Sequence, residues 1–245
     1  MYRIRFHGRG GQGVKTASRI LGTAFFRQGY EVQDAPRYGA ERRGAPIFAY
    51  VRAAKRRIDE RGIIRRPDLV VVADDSLVAV PAAGVLAGIA PDTLLLINSR
   101  EPPETWRQRL NLDGPVLTLP VTEETEDRSE LRYMGAGCAG AAARLAGVID
   151  RKAIEQAIRD ELGHLPAEIL LRNLQIALAA YDQMAPHSGR LAQAQEQPAK
   201  QWLRPGWVEL PLERALPEPK VVLQELRRAA GVLGILDDCL EHLRW

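Results

Sequence analysis

Cysteine is nearly absent: the chain of 245 residues has two, Cys138 and Cys239. Two distant thiols cannot build a disulfide framework or supply the four thiolates of an iron–sulfur cluster, and no Cys-x-x-Cys pair occurs. Histidine is scarce as well, and His7, His164, His187 and His242 are too dispersed to suggest a metal site. No apolar run approaches the roughly 20 residues a membrane-spanning helix needs; Leu69–Ala73 has the length of a buried strand. No nucleophile elbow and no secretory leader pattern can be read. These absences predict a cytoplasmic protein with no membrane segment and no redox or hydrolytic machinery of its own.

What is present is enough apolar residue, 46%, to bury a sizeable core in one large domain, or in one domain with an appendage. The net charge of +3 hides an asymmetry. Residues 1–66 hold 16 Lys and Arg against 5 Asp and Glu, whereas the remainder holds 18 against 26. The basic end is mostly arginine, which suits bidentate contact with phosphate or carboxylate. A phosphorylated ligand, an acidic partner, nucleic acid or a merely solvated face would each account for it.

Residues 2–7 alternate, with Tyr2, Ile4 and Phe6 on one side and Arg3, Arg5 and His7 on the other, as in a strand. The turn Gly8-Arg9-Gly10-Gly11-Gln12-Gly13 follows. Val14, Ala17, Leu21, Ala24 and Phe25 then recur at helical spacing until Gly29. Further strands are expected at Tyr30–Asp34, Pro46–Arg52, Leu69–Ala73, Thr93–Ile97 and Val116–Leu119, with a helix over Ser76–Ala87. This alternation predicts an α/β fold with a mostly parallel, Rossmann-like sheet covered by helices. From Tyr133 onward helices dominate: Met134–Gly147, rich in Gly and Ala; one capped by Asp150 that buries Ile154, Ile158 and Leu162; and one marked by Leu170, Leu174, Leu178 and Tyr181. The α/β domain is expected to span 1–184. A Pro-rich linker over 185–220 follows, holding six of the 16 prolines. An amphipathic helix over 221–245 ends the chain, with Val222, Leu226, Ala229, Leu233, Leu236, Leu240 and Leu243 on one seam.

The turn Gly8–Gly13 satisfies G-x-G-x-x-G between a strand and a helix, where backbone N–H groups can meet an anion. Glu31 and Asp34 lie near enough to keep a self-sufficient NAD(P)-dependent oxidoreductase as an alternative. Val14 separates the last glycine from Lys15-Thr16, which argues against a nucleoside-triphosphate loop. Nucleic-acid binding is disfavoured because no reading motif or aromatic-basic interleaving occurs. A purely structural turn also remains open. Cys138, in the Gly/Ala segment, reads as a packed side chain.

Three motifs in order, His7-Gly-Arg-Gly-Gly-Gln-Gly-Val14, Tyr38-Gly-Ala-Glu-Arg-Arg-Gly-Ala-Pro46 and Arg66-Pro-Asp-Leu-Val-Val-Val-Ala-Asp74, resemble the gamma subunit of 2-oxoacid:acceptor oxidoreductases, such as pyruvate:ferredoxin oxidoreductase. The likeness runs from residue 1 to about 184, and Met134-Gly-Ala-Gly fits its end. It implies a component of a multi-subunit enzyme that oxidatively decarboxylates a 2-oxoacid to acyl-coenzyme A and CO2, passing electrons to ferredoxin or NAD. It also implies that thiamine diphosphate and Mg²⁺ sit on other subunits and that 4Fe-4S clusters sit on a ferredoxin-like one. This chain would then lack a complete active site and face coenzyme A.

Under that resemblance Gly8, Arg9, Gly10, Gly11, Gln12 and Gly13, with Lys15, would offer donors and charge to the phosphates of coenzyme A. Arg37, Tyr38, Glu41, Arg42 and Arg43 would form a loop that docks on a partner, faces the ligand, or is solvated, with Glu41 holding an arginine in place. The likeness does not extend over residues 185–245, where Trp202-Leu-Arg-Pro-Gly-Trp207 alone resembles a connector toward a ferredoxin-like subunit, with no cluster cysteines after it; this arm would either anchor Trp202, Trp207 and Trp245 on neighbouring subunits or pack on its own domain.

Overall fold

The computed structural model describes residues 1–37, 45–120 and 130–191. Six strands, β1 (Tyr2–Arg9), β2 (Glu31–Arg37), β3 (Pro46–Ala54), β4 (Leu69–Val72), β5 (Leu94–Ile97) and β6 (Val116–Thr118), form one sheet ordered β2-β3-β1-β4-β5-β6. Pairings β1 with β4, β4 with β5 and β5 with β6 are parallel. Strand β3 is antiparallel to both β1 and β2. The short connection between β2 and β3 dictates this, because a parallel crossover needs a dozen residues or more. The expected α/β class with a mostly parallel sheet is therefore present, with one reversed strand.

Helices α1 (Val14–Arg27), α2 (Pro103–Leu110), α3 (Met134–Ala146), α4 (Arg151–Leu162) and α5 (Ala167–Gln183) complete the fold. One sheet face carries Tyr2, Ile4 and Phe6 of β1 together with Leu69, Val71, Leu94 and Leu96, and it is buried under α1, α3, α4 and α5. The opposite face of β4 to β6 carries Val70, Val72, Leu95, Ile97 and Val116, packed with Leu77, Val85 and Trp106 of α2. Along α1 the buried positions Val14, Ala17, Ile20, Leu21, Ala24 and Phe25 form one stripe, so burial rather than propensity fixes the helix. Asp150 caps α4 as its position suggests, accepting the Ala153 N–H at 2.7 Å.

Three expectations change. Ser76–Ala87 is not a helix; it forms two short 3-10 turns, Asp75–Leu77 and Pro81–Ala83. Pro81 has no N–H to continue a helix, and Gly84 at φ 60° ends the second turn. Helix α2 went unforeseen because Trp106 is its one buried residue, which leaves no stripe to detect. The body also continues past 184. Leu191 is buried in the main core, and the Gly189 N–H donates to the Arg144 carbonyl at 3.2 Å, so residues 185–191 pack rather than link. The rest of the Pro-rich linker and the 221–245 helix lie outside the described residues. Among the described residues no helix is long and apolar enough to cross a membrane.

Candidate functional site

The carboxyl ends of β1 and β4 adjoin at the centre of the sheet, where the chain winds one way through α1 and the other way toward β5. In open α/β sheets this crevice is the usual ligand position. The turn Gly8–Gly13 closes one side of it and Asp74, just beyond β4, the other.

The turn folds back so tightly that a side chain at Gly8 would collide with Val14. Gly11 and Gly13 have φ of 98° and 73°, conformations that favour glycine. Gly13 caps α1 and packs against α3: a side chain at Gly135 would strike the Gly13 carbonyl, which explains the glycine of Met134-Gly-Ala-Gly. Nothing lies within 4 Å of where a side chain would begin at Gly11, so the turn is open there. Lys15 stands exposed in the first turn of α1, which carries no acid.

A polar network ties turn to strand. Buried Gln12 accepts the Arg9 backbone N–H at 2.7 Å and donates to Asp74 Oδ2 at 3.0 Å. Arg9 Nε donates to the same oxygen at 2.9 Å, and its terminal nitrogen donates to Ser76 Oγ at 2.9 Å. The other carboxylate oxygen of Asp74 accepts the Ser76 N–H at 3.1 Å and its hydroxyl at 2.5 Å. Burial would raise the Asp74 carboxyl, but hydrogen bonds from Ser76 and Gln12 and the charge of Arg9 together hold it below its ordinary range. Gly10 N–H donates to the Ala45 carbonyl at 3.0 Å, fastening the turn to the entrance of β3.

Of the residues singled out in the sequence, Gly8, Arg9, Gly10, Gly11, Gln12 and Gly13 therefore gather at the crevice. Arg37 ends β2, and its side chain lies outside what is described; Tyr38, Glu41, Arg42 and Arg43 fall outside the described residues. Asp74 closes the third sequence motif, where nothing local gives it a role. Its function as the carboxylate of the turn was hidden by 65 residues of separation from Arg9. The dinucleotide alternative loses its geometry, because β3 stands between β1 and β2. Asp34, exposed on β2, is thus two strand spacings from β1, about 10 Å, where a ribose-binding acid belongs on the neighbouring strand.

Beneath the turn, β1 presents a second group of polar side chains. Arg5 and His7 are buried, and His7 Nδ1 lies 3.1 Å from the Ala83 carbonyl. Burial, reinforced by the charge of Arg5, lowers His7 to about 4, so the ring is neutral near pH 7. Cys138 is buried and free, and loss of solvation pushes its thiol up to about 12, leaving an inert packed side chain. Among the described residues no three His, Cys, Asp or Glu side chains converge as metal ligands.

The family model for pyruvate ferredoxin/flavodoxin oxidoreductase matches residues 3–183. The chain is 33% identical over 184 residues to a pyruvate synthase subunit PorC of Thermotoga maritima, an alignment covering 75% of this chain and 94% of that one. It is 34% identical over 183 residues to a common gamma subunit of pyruvate/ketoisovalerate oxidoreductases of Pyrococcus furiosus, covering 74% and 96%. The crystal structure of pyruvate oxidoreductase subunit PORC from Thermotoga maritima superposes with a TM-score of 0.59 at 31% identity, over 74% of this chain and 95% of that one. The fold also recurs, at 21% identity and a TM-score of 0.57, within 31% of a 2-oxoglutarate:ferredoxin oxidoreductase chain from Magnetococcus marinus. The chain belongs to the pyruvate ferredoxin/flavodoxin oxidoreductase family, as one of its gamma-type subunits.

Proposed function

We propose that this chain is the gamma component of a multi-subunit, thiamine-diphosphate-dependent enzyme that converts a 2-oxoacid to acyl-coenzyme A and CO2, with electrons leaving to ferredoxin or NAD. The observation that carries the reading is the match to gamma subunits over 94% and 96% of their own lengths. In this assignment thiamine diphosphate and Mg²⁺ belong to a sister subunit and 4Fe-4S clusters to a ferredoxin-like one. The donor inventory supports that division, since two cysteines in the whole sequence cannot ligate a four-thiolate cluster. With Cys138 a free thiol, a cytoplasmic setting fits.

Coenzyme A, when bound, supplies the thiol that accepts the acyl group. The residues of this chain would position its phosphates. Gly11 leaves the turn open to close backbone approach, and Lys15 adds a cation at the acid-free start of α1. Arg9 is already neutralised by Asp74, so it would serve the ligand only by exchanging one anion for another. Arg37, Arg42 and Arg43, with Tyr38 and Glu41, would add contacts either to those phosphates or to carboxylates of a partner subunit.

Co-expression with the neighbouring genes tests this. The tagged chain should recover a thiamine-binding and a ferredoxin-like subunit, together with coenzyme A-dependent oxidation of a 2-oxoacid. Purification of the chain alone, without thiamine-dependent activity, would sink the proposal. Stoichiometric NAD(H) binding by the isolated chain would restore the dinucleotide alternative.

A further inference from the structure

The face of β1 opposite the helices holds a pocket of about 400 Å³, distinct from the glycine turn. Its walls include Phe48 and Tyr50 of β3, Ile63 and Ile64 of the segment after β3, and Ala83 and Ala87 beyond β4. Arg5 and His7 contribute from β1. The Arg5 guanidinium fastens the two covering segments to the strand, donating to the carbonyls of Ala87 at 2.6 Å, Val85 at 2.8 Å and Ile64 at 3.4 Å. The two segments also meet directly, since a side chain at Gly88 would collide with the Arg65 carbonyl. The pocket is thus held open by internal bonds and needs little ordering before it is filled.

Its charge is one-sided. Among the described residues no acidic side chain lines it, and the hydrogen-bond partners of Arg5 are carbonyls rather than carboxylates. The adjoining segment exposes Arg56, Arg61, Arg65 and Arg66, none of which holds an ion pair among the described residues. Within the same segment Arg57 pairs with Asp59 and Glu60 with Arg3, and elsewhere Arg27 pairs with Asp160, Arg109 with Glu101, Arg151 with Asp182 and Arg159 with Glu155, so these four arginines are the surplus of the segment. Exposed apolar surface gathers at the same place. Ile63 is 45% exposed and Leu86, next to Ala87, is 37% exposed.

We infer that this surface docks an acidic segment of a sister subunit, with one bulky apolar side chain of that segment seated in the pocket and its carboxylates on Arg61, Arg65 and Arg66. The inference rests on the reading of the chain as one component of a multi-subunit enzyme. A small anion could engage the arginines but would leave Ile63 and Leu86 in water, whereas a protein surface covers both. A large apolar anchor in a preformed pocket, ringed by charge, is how interfaces concentrate affinity and gain speed of association.

The test uses the complex obtained by co-expression. Arg61→Glu, Arg65→Glu and Arg66→Glu together, and Ile63→Glu separately, change exposed side chains, so circular dichroism of the isolated chain should match wild type. The charge-reversed chain should bind its sister subunits at least tenfold more weakly by size exclusion and titration, and wild-type assembly should weaken with salt. Ile63→Glu should also weaken assembly, with less salt dependence. Unchanged assembly in both variants overturns the inference. So does normal assembly with a raised coenzyme A requirement, which would mark a small-anion site, and so does an effect confined to self-association of the isolated chain, which would mark a second copy as the occupant. If the wild-type chain fails to assemble at all, the gamma-component reading falls and takes the inference with it; if wild type assembles and the variants do too, only the docking surface is lost.

Discussion

The two faces of β1 are buried by different physics. Tyr2, Ile4 and Phe6 point toward α1 and α3 and are covered by apolar packing. Arg5 and His7, from the same eight-residue strand, are equally buried but covered by loop backbone, whose carbonyls they bond. Apolar packing tolerates imprecision up to a volume, because it depends on area. Polar burial depends on particular atoms, and an orphaned partner costs about 1–3 kcal/mol. One face should therefore answer to changes in size, the other to changes in charge and pH.

The largest expected effect tests the packed face. Phe6→Ala removes a ring that is 1% exposed and should destabilise the chain by about 3–4 kcal/mol in urea denaturation at any pH from 5 to 8. A pH-dependent loss would break the contrast. The second effect belongs to His7. Its folded value near 4 lies below the unfolded one, so the unfolded state binds more protons between them. Stability is full above about pH 6.5 and falls as pH drops toward 4, by about 3 kcal/mol in all. His7→Gln should flatten that window. An unchanged slope between pH 6.5 and 4 would mean that His7 is not the group responsible.

Third comes Arg5→Met, which keeps the length of the side chain and removes the donors to Val85 and Ala87. It should cost about 2 kcal/mol and raise hydrogen exchange in residues 82–88, while α1 keeps its protection. Equal loosening of both faces would show that they fold as one unit and that the distinction is only geometric.

The same contrast explains what could be read in advance. Alternation in residues 2–7 and the apolar stripe of α1 are local patterns, so the packed face and the α/β class were legible. The burial of Arg5 and His7 was not, because the atoms that cover them come from Ile64 and from residues 83–87, 59 to 82 positions away. The glycine turn was legible as a turn and as a candidate site. Gly135 and Asp74, which decide what surrounds it, reach it only through tertiary packing. Helix α2 and the true course of 75–87 failed for the opposite reason, having too little buried periodicity to announce themselves.

The smallest effect concerns the turn itself and sharpens the comparison between its closed and open parts. Arg9 and Asp74 are partly exposed, with side chains 32% and 18% accessible, so the ion pair is worth about 1 kcal/mol or less. Asp74→Asn should therefore cost little stability near neutral pH. Because the Asp74 carboxyl is held below its ordinary range, whatever it contributes is present in full above that range and is lost as pH falls through it, a loss the Asp74→Asn chain should not show. Chemically the change is larger than energetically, because Arg9 then meets the crevice without the Asp74 charge beside it. If the turn faces the phosphates of coenzyme A, the assembled Asp74→Asn enzyme should show a coenzyme A KM lowered by about two- to fivefold with kcat little changed, the equivalent of about 1 kcal/mol or less. An unchanged KM with normal assembly would assign the turn to packing against α3 and leave ligand contact to residues 37–43.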